Sequence, residues 1–295
     1  MAPGQPHPPA NFRAGAFAGL AEDYVRYRLP YPKPMLAEIL AAARVPAAGG
    51  RAIDLACGTG RVAIPIAHAF EEVRAVDLEP EMVDAGRREA QRLGVGNIQW
   101  SVGRVEDFVA PVGGFDLVTV GEAFHRLDRS RVAALAFDWL APGGAFVTLG
   151  AESFLDGEAP WRRILAGVVR DFVGEPARRL GAPNAPLAQE IADQESAIRA
   201  AGFTAVSTHG FGAAHEWRLP ELLGNLRSTS VLSRAALGAR HPSFEAALSA
   251  ALLAFDPSGR YVETVEFGYT VARTPETADR ATTHATHRNA HDRDQ

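Results

Sequence analysis

One glycine-containing segment near the start of the chain constrains the fold more than any other. Residues 51–61 read RAIDLACGTGR, in which an apolar run ends at Asp54 and a tight turn follows over Gly58 and Gly60. The apolar residues that come next predict a helix. Strand, glycine turn and helix in this order form the first unit of a nucleotide-binding α/β sheet. Glycines suit such a turn because a ligand lies against bare backbone there, and because the turn favours positive φ.

The acid in this turn indicates which ligand it receives. A turn that binds pyrophosphate should not place a carboxylate beside it, because the ligand there is an anion. A turn that receives an ammonium group should place a carboxylate there. S-adenosylmethionine carries an α-amino group and a sulfonium, and it has no phosphate. Asp54 therefore favours S-adenosylmethionine. The pattern Gly58-x-Gly60-x-x-Ala63 also fits a loose dinucleotide fingerprint, so an NAD(P)-dependent oxidoreductase stays an alternative.

A second acid closes the second predicted strand, residues 73–77. Asp77 lies 17 residues after Gly60, near the spacing at which an acid reaches ribose hydroxyls in Rossmann-type sheets. Capping of the following helix is the alternative role. If Asp77 binds the ribose, Leu78 would form an apolar wall beside the adenine.

The remaining pattern predicts alternating strands and helices, which imply a parallel sheet with right-handed crossovers. The predicted strands are 51–55, 73–77, 98–101, 115–120, 145–150, 202–211 and 261–273, with a turn at 142–144. The predicted helices are 18–28, 33–45, 60–70, 80–93, 129–140, 158–172, 185–201, 219–228 and 242–255.

Three motifs together resemble the class I S-adenosylmethionine-dependent methyltransferase family. They read DLACGTG at 54–60, VDLEPEM at 76–82 and FDLVTV at 115–120. The likeness covers about residues 15 to 150 well and is looser beyond. It implies an α/β fold with a Rossmann-like, seven-stranded, mostly parallel sheet, an antiparallel last strand, helices on both faces and a helical cap.

The resemblance also implies a function. It implies methyl transfer from S-adenosyl-L-methionine to an O, N or C nucleophile of a small organic molecule, with natural-product tailoring as one setting. A protein that binds the cofactor in a scaffold or pericyclic role stays an alternative, as does methylation of a macromolecule.

The resemblance assigns most of a cofactor site. In the family the loop after the third strand meets the adenine, and an N-terminal lid holds the methionine end, where an arginine suits a carboxylate. The residues expected to bind the cofactor are Tyr24, Arg28, Asp54, Ala56, Gly58, Gly60, Asp77, Leu78, Met82, Val105, Glu106 and Gly121.

Candidate catalytic residues lie in the segment GEAFHRLD at 121–128, at the carboxyl edge of the sheet. The segment resembles the Ala-Phe/Leu-His-Trp stretch of many small-molecule methyltransferases, with Arg126 in place of the tryptophan. The titration range of His125 suits removal of a proton from a phenol, a carboxylic acid or an amine. Orienting the loop is its alternative role. Glu122 is a second candidate base, or a ligand for polar groups of the cofactor.

Candidate substrate residues lie before the last strand, in a region that family members use to cover the substrate. Trp217, Arg227 and Ser228 are the candidates, and residues 227–230 suit a carboxylate or another polar group. An ordinary helix terminus explains Arg227 and Ser228 equally well. No metal is expected.

The predicted organisation is one methyltransferase domain over 15–274, between a disordered leader at 1–14 and a disordered tail at 275–295. Its parts are the N-terminal lid 15–46, the cofactor-binding half 50–150, the cap insertions 151–201 and 212–258, and the final strands 202–211 and 261–273. The tail contains His284, His287 and His291, which we interpret as solvated rather than metal-binding.

Charge and composition bound the partners. The net charge is −5, the pI is near 6.0, and Lys and Arg form no run, so we expect no nucleic-acid partner. We expect no membrane association, because no apolar run approaches ~20 residues, and a cytoplasmic location, because the N-terminus does not read as a signal peptide. The single cysteine, Cys57, rules out an internal disulfide. The expected partner is a small-molecule methyl acceptor, and a homodimer is left open.

Overall fold

The computed structural model of the chain describes residues 15–45, 49–153, 155, 159–174 and 187–276, with the side chains of 187–190 left out. The predicted leader and the predicted tail from residue 277 onward, with its three histidines, lie outside the described residues. The predictions for these two segments, and the assignment of 15–274 to one domain, therefore stay predictions.

The described residues form a seven-stranded sheet. Its strands are β1 (Arg51–Leu55), β2 (Glu72–Asp77), β3 (Ile98–Val102), β4 (Phe115–Gly121), β5 (Leu140–Ala151), β6 (Thr204–Arg218) and β7 (Arg260–Arg273). The order across the sheet is β3-β2-β1-β4-β5-β7-β6. Strands β1 to β5 pair in parallel, whereas β7 is antiparallel to both β5 and β6. The predicted Rossmann-like, mostly parallel sheet with an antiparallel last strand is confirmed.

The centre of the sheet creates a crevice at its carboxyl edge. Strands β1 and β4 are neighbours, but the chain leaves β1 toward β2 and β3 and then returns to β4 on the other side. Loops that follow two such strands diverge, and this switch point is where open α/β sheets bind ligands. Apolar residues such as Ile53, Leu55, Val118 and Val120 are fully buried here, as expected for parallel strands covered on both faces.

Helices connect the strands and build a cap. They are α1 (Ala21–Tyr27), α2 (Lys33–Ala42), α3 (Ala63–Ile66), α4 (Pro80–Arg92), α5 (Arg129–Trp139), α6 (Pro160–Val173), α7 (Leu187–Ala200), α8 (Leu219–Arg227), α9 (Arg234–Leu237) and α10 (His241–Phe255). The helix predicted at 60–70 begins only at Ala63, because residues 57–60 form the turn, and a 3₁₀ turn over Ala67–Ala69 ends it. Short helix α9 was not predicted.

Two strands are longer than predicted. Strand β6 continues to Arg218, because it pairs with β7 as far as the Arg218–Arg260 pair. The predicted cap insertion at 212–258 therefore begins at Leu219, and the small residues at 212–214 had hidden the strand pattern. Strand β5 includes the predicted turn at 142–144, where a register shift opposite β4 marks a bulge.

The cap forms its own apolar cluster. Helices α6, α8 and α10 pack together through Trp161, Leu165, Leu226 and Phe244. Helix α1 packs against α8, where Gly224 leaves no room for a Cβ beside the ring of Tyr27. Lid and cap are therefore in direct contact above the carboxyl edge of the sheet. Among the described residues, no helix has the length and apolar character needed to cross a bilayer.

Candidate active site

Two adjoining cavities open where β1 and β4 diverge. The first contains about 850 Å³ of empty space and the second about 840 Å³, each with its open mouth included. Phe17, Glu122 and Arg126 line both cavities, so the cavities meet at these side chains.

The first cavity gathers most of the predicted cofactor residues. Those on its wall are Tyr24, Ala56, Gly58, Asp77, Leu78, Met82, Val105, Glu106 and Gly121. Wall residues that the sequence did not single out for this role are Ala16, Phe17, Glu79, Gly103, Arg104, Ala123, Arg126 and Leu127. Several of these are small or apolar neighbours of predicted residues, so their position after a strand was the only available signal.

The glycine turn uses its two glycines differently. Gly58 (φ +54°) and Gly60 (φ +80°) both have left-handed backbone, which favours glycine. A Cβ on Gly60 would lie 2.6 Å from the ring of Trp100, so this glycine is required for packing beneath the turn. Gly58 has open space beside its Cα and forms part of the cavity wall. Contact with a ligand therefore fits Gly58, whereas Gly60 shapes the turn.

Asp54 lies behind the glycine turn rather than on the cavity wall. Its side chain is 1% exposed. One carboxylate oxygen accepts a hydrogen bond from the Ala63 amide (3.1 Å), and the other accepts one from the Thr119 hydroxyl (2.8 Å). Burial raises the pKa of Asp54 to about 7, although both hydrogen bonds favour the charged form. The structure does not support the predicted contact with an ammonium group, because this carboxylate ties the turn to α3 and β4.

Asp77 joins the glycine turn to the start of α4. One carboxylate oxygen accepts a hydrogen bond from the Gly58 amide (2.7 Å), and the other accepts one from the Glu79 amide (2.9 Å). Burial raises the pKa of Asp77. Each carboxylate oxygen can accept a further hydrogen bond, and the residue lines the first cavity. Backbone support and ligand binding are thus compatible roles for Asp77.

The turn after β3 supplies another restrained acid. Glu106 lies in a 3₁₀ turn, Val105–Asp107. Its carboxylate accepts a hydrogen bond from the Asp128 amide (3.3 Å), and its carbonyl accepts one from Arg131 (2.8 Å). The first cavity therefore combines fixed carboxylates with glycine backbone and the apolar side chains of Leu78 and Met82.

Glu122 lies where the two cavities meet. Its backbone is left-handed (φ +51°), and its carboxylate accepts a hydrogen bond from Arg61 (2.7 Å). Burial opposes ionisation, but Arg61 and Arg28 outweigh it and hold the pKa of Glu122 below its ordinary value. A carboxylate with a lowered pKa is a poor general base at neutral pH. The structure thus favours Glu122 as a fixed negative charge over the predicted base.

His125 lies between two wall residues, Ala123 and Arg126, but is not itself on either wall. Burial, together with Arg126 and Arg129, lowers its pKa to about 4. The imidazole is therefore neutral at pH 7. Its placement does not support the predicted catalytic role and agrees with the alternative, in which His125 packs and orients the loop.

The second cavity has a buried polar network in its wall. Arg162 donates a hydrogen bond to Glu263 and another to the Ser153 carbonyl (3.1 Å). The indole of Trp217 donates to the same Glu263 carboxylate (2.6 Å) and lines the cavity. The predicted position of Trp217 beside a substrate is therefore compatible with the structure.

The other two predicted substrate residues are not on the described wall of this cavity. Arg227 pairs with Glu245 (2.7 Å) and Asp23 (3.5 Å), and thereby links α8 to α10 and to the lid. Ser228 is fully buried, and its hydroxyl donates to the Asn225 carbonyl (2.6 Å). Both residues stabilise the end of α8, as the alternative interpretation held.

Arg28 lies on the second cavity rather than the first. Its guanidinium stacks over the ring of Tyr24 (5.2 Å), so it stands beside the junction of the two cavities. As for metals, no group of three or more His, Cys, Asp or Glu side chains is arranged to hold an ion within the part of the chain that the structure describes.

Comparison with known proteins identifies the cofactor-binding half. Residues 52–144 match the family model of a methyltransferase domain. The ubiquinone biosynthesis O-methyltransferase of Xanthomonas axonopodis pv. citri is 35% identical over 105 residues, which are 35% of this chain and 44% of the relative. The corresponding enzyme of Xanthomonas euvesicatoria pv. vesicatoria is 35% identical over 103 residues, or 34% of this chain and 43% of the relative. The chain thus spans less than half the length of the curated relatives it matches.

Solved structures agree on the fold. A candidate type II methyltransferase from Anaeromyxobacter dehalogenans has 23% identity and a TM-score of 0.58, and the match covers 85% of this chain and 98% of that one. Phosphoethanolamine N-methyltransferase 2 of Haemonchus contortus, in complex with S-adenosyl-L-methionine, has 15% identity and a TM-score of 0.52. The match covers 88% of this chain and 56% of that one. Motifs, strand order and matches agree: residues 52–144 match a methyltransferase domain, and the described residues have the fold of the class I S-adenosylmethionine-dependent methyltransferases.

Proposed function

We propose that this protein transfers the methyl group of S-adenosylmethionine to an O, N or C nucleophile of a small organic molecule. The observation that carries the proposal is the pair of cavities that meet at Glu122 and Arg126. The first has the composition of a cofactor site, and the second adjoins it from the side of the cap. Such an arrangement brings two reactants together at one point, which is the main contribution of a protein when the cofactor supplies the reactive group.

The first cavity fits S-adenosylmethionine. Gly58 offers bare backbone, and the carboxylates of Asp77 and Glu106 suit ribose hydroxyls and the exocyclic amine of adenine. Leu78 and Met82 offer apolar walls. When bound, the cofactor supplies an electrophilic methyl group on a sulfonium. Four acids and two arginines line the cavity, and this net negative charge would repel a pyrophosphate, so the cavity disfavours the nicotinamide dinucleotides of the alternative function.

Residues of the lid and the junction would act on the reaction by position and charge. The rings of Phe17 and Tyr24 lie on the wall of the first cavity, in edge-to-face contact, and would exclude water from it. Glu122 keeps a negative charge at the junction, because Arg61 and Arg28 hold its pKa down. This charge would favour the binding of a cationic cofactor.

The second cavity supports a small acceptor. It lies between the sheet and the cap, and its wall includes Arg162 of α6 and Asn225 of α8. The curated relatives are O-methyltransferases by name, so oxygen nucleophiles are the first to test. Natural-product tailoring is one setting for such a reaction. The cytoplasmic location, the homodimer and the exclusion of nucleic acid stay predictions.

The direct test is incubation with S-adenosylmethionine and a library of small phenols, carboxylic acids and amines. We expect release of S-adenosylhomocysteine together with a product heavier by one methyl group, both read by mass spectrometry. The Asp77→Ala variant should lose this activity, whereas Asp84→Ala on the exposed side of α4 should keep it. Conversion of an acceptor without S-adenosylhomocysteine release would instead support the non-methylating alternative.

A further inference from the structure

The second cavity carries an excess of positive charge. Four arginines line it: Arg28, Arg61, Arg126 and Arg162. Two of them are neutralised, because Arg61 pairs with Glu122 (2.7 Å), and Arg162 pairs with Glu263 and with Glu152 (3.6 Å), a further acid of the wall. The other two have no carboxylate partner among the described residues. A net positive charge therefore remains on the wall of a partly enclosed cavity.

The two unpaired arginines contact rings instead of acids. The guanidinium of Arg28 lies 5.2 Å from the centroid of the Tyr24 ring, and that of Arg126 lies 5.1 Å from the Phe17 ring. The Nε atom of Arg28 is buried and has no hydrogen-bond partner in the described structure. Burial, with help from Arg28, lowers the pKa of Arg126. Buried donors without partners are costly, so the site as it stands is complementary to an anion.

This inference rests on the proposed function. The cofactor of that function brings one carboxylate of its own to the two arginines. The methionine end of the cofactor carries a single carboxylate, which can engage only one of the two arginines; Arg28, to which the family resemblance assigns it, lies on the second cavity beside the junction. Arg126 is left over, and it lies at the junction where an acceptor would enter. We infer that the methyl acceptor is an organic acid whose anionic group is bound by Arg126.

The rest of the wall constrains the body of that acid. Leu29, Val265 and Phe267 give the cavity apolar surface, and Trp217 adds an aromatic one. An apolar or aromatic skeleton fits this surface, while the charged group stays beside Arg126. The inferred substrate class is therefore small carboxylic acids with an apolar or aromatic skeleton.

The test measures binding to the full chain in saturating S-adenosylhomocysteine. Benzoate, phenylacetate and hexanoate serve as probes, each against its neutral amide, by calorimetry at pH 7.5. We expect the carboxylates to bind at least about tenfold tighter than the amides, and the Arg126→Gln variant to lose this preference, because a hydrogen bond between two charged groups is stronger than one to a neutral amide. Arg260→Gln, which removes an exposed arginine of β7, is the matched control and should behave as wild type.

Each outcome decides the inference. It is overturned if carboxylates and amides bind alike, or if Arg126→Gln keeps the carboxylate preference. It is also overturned if Arg126→Gln weakens S-adenosylhomocysteine binding more than about threefold, because Arg126 would then serve the cofactor. If the wild-type protein binds no S-adenosylhomocysteine, the proposed function fails separately, and the same comparison without nucleotide still decides whether Arg126 selects anions.

Discussion

Replacing Asp54 with asparagine separates two roles of a carboxylate beside the glycine turn. An asparagine has the same shape as the aspartate. Its side-chain oxygen can accept the hydrogen bond from the Ala63 amide, and its NH₂ group can donate one to the Thr119 hydroxyl, because a hydroxyl acts as donor or acceptor. The substitution thus removes the charge and keeps both hydrogen bonds. We expect D54N to fold and to bind S-adenosylmethionine within about threefold of wild type, a difference of about 0.7 kcal/mol.

The same substitution should change how stability depends on pH. The folded protein holds the proton of Asp54 more tightly than the unfolded chain, because its pKa is raised from 3.8 to about 7. The stabilisation from this proton is fully present when the pH is below the pKa of Asp54 in the unfolded chain. It is lost as the pH rises through the pKa in the folded protein, about 7. At about 1.36 kcal/mol per pH unit, the loss is about 4 kcal/mol. D54N has no such loss, so its free energy of unfolding should gain on wild type by about that amount between pH 4 and 7.5.

Urea unfolding followed by circular dichroism at half-unit steps of pH measures this difference. The Asp84→Asn variant, which changes an exposed acid of α4, should follow the wild-type curve. A D54N curve parallel to wild type would refute the buried, proton-holding state of Asp54. A folded D54N that binds S-adenosylmethionine more than about tenfold more weakly would show that the charge of Asp54 reaches the cofactor after all.

Three other substitutions, two of them with a matched control, test the packing and the site. Gly86→Ala puts a Cβ 2.6 Å from the indole ring of Trp100 in β3. It should destabilise the protein by about 1 kcal/mol in thermal unfolding, because the cost of overpacking exceeds the gain in helix propensity. Gly167→Ala in α6 meets open space and should stabilise the protein by about 0.5–1 kcal/mol. Glu263→Gln leaves the buried Arg162 with only the more distant Glu152 (3.6 Å) as a counter-charge and should cost about 3 kcal/mol in urea, against less than about 1 kcal/mol for the exposed Glu216→Gln. His125→Ala should keep kcat within about fivefold, whereas loss of a general base would cost about 10²–10⁴-fold.

The cofactor half was predictable because its signals are local. A glycine turn after an apolar strand fixes the backbone of Gly58, and the acid at the end of the next strand must come to the same edge of the sheet. The placement of Asp77, Leu78 and Met82 around one cavity followed from that geometry. The parallel pairing of the first five strands could be predicted for the same reason, since alternating strands and helices leave few topologies.

The side chains around the acceptor could not be predicted in this way. Whether Asp54 faces the ligand or the interior depends on Thr119, which is distant in the chain. The pairing of Arg61 with Glu122 likewise joins two loops, and it converts a candidate base into a fixed charge. In the sequence, Arg126 stands out only as a departure from the family pattern. Its proposed role depends on a comparison that needs the structure: Arg61 and Arg162 each pair with a carboxylate, whereas Arg126 has no such partner among the described residues.

Selective binding of S-adenosylmethionine tests the central claim most directly. Calorimetric titration of the purified chain with S-adenosylmethionine, and with NADH and NADPH as controls, should show one saturable site for S-adenosylmethionine and none for the dinucleotides. This result is expected because the wall of the first cavity carries four acids against two arginines, a net negative charge that suits a cationic cofactor and repels a pyrophosphate. A folded protein that fails to bind S-adenosylmethionine, or that prefers a dinucleotide, would contradict the account.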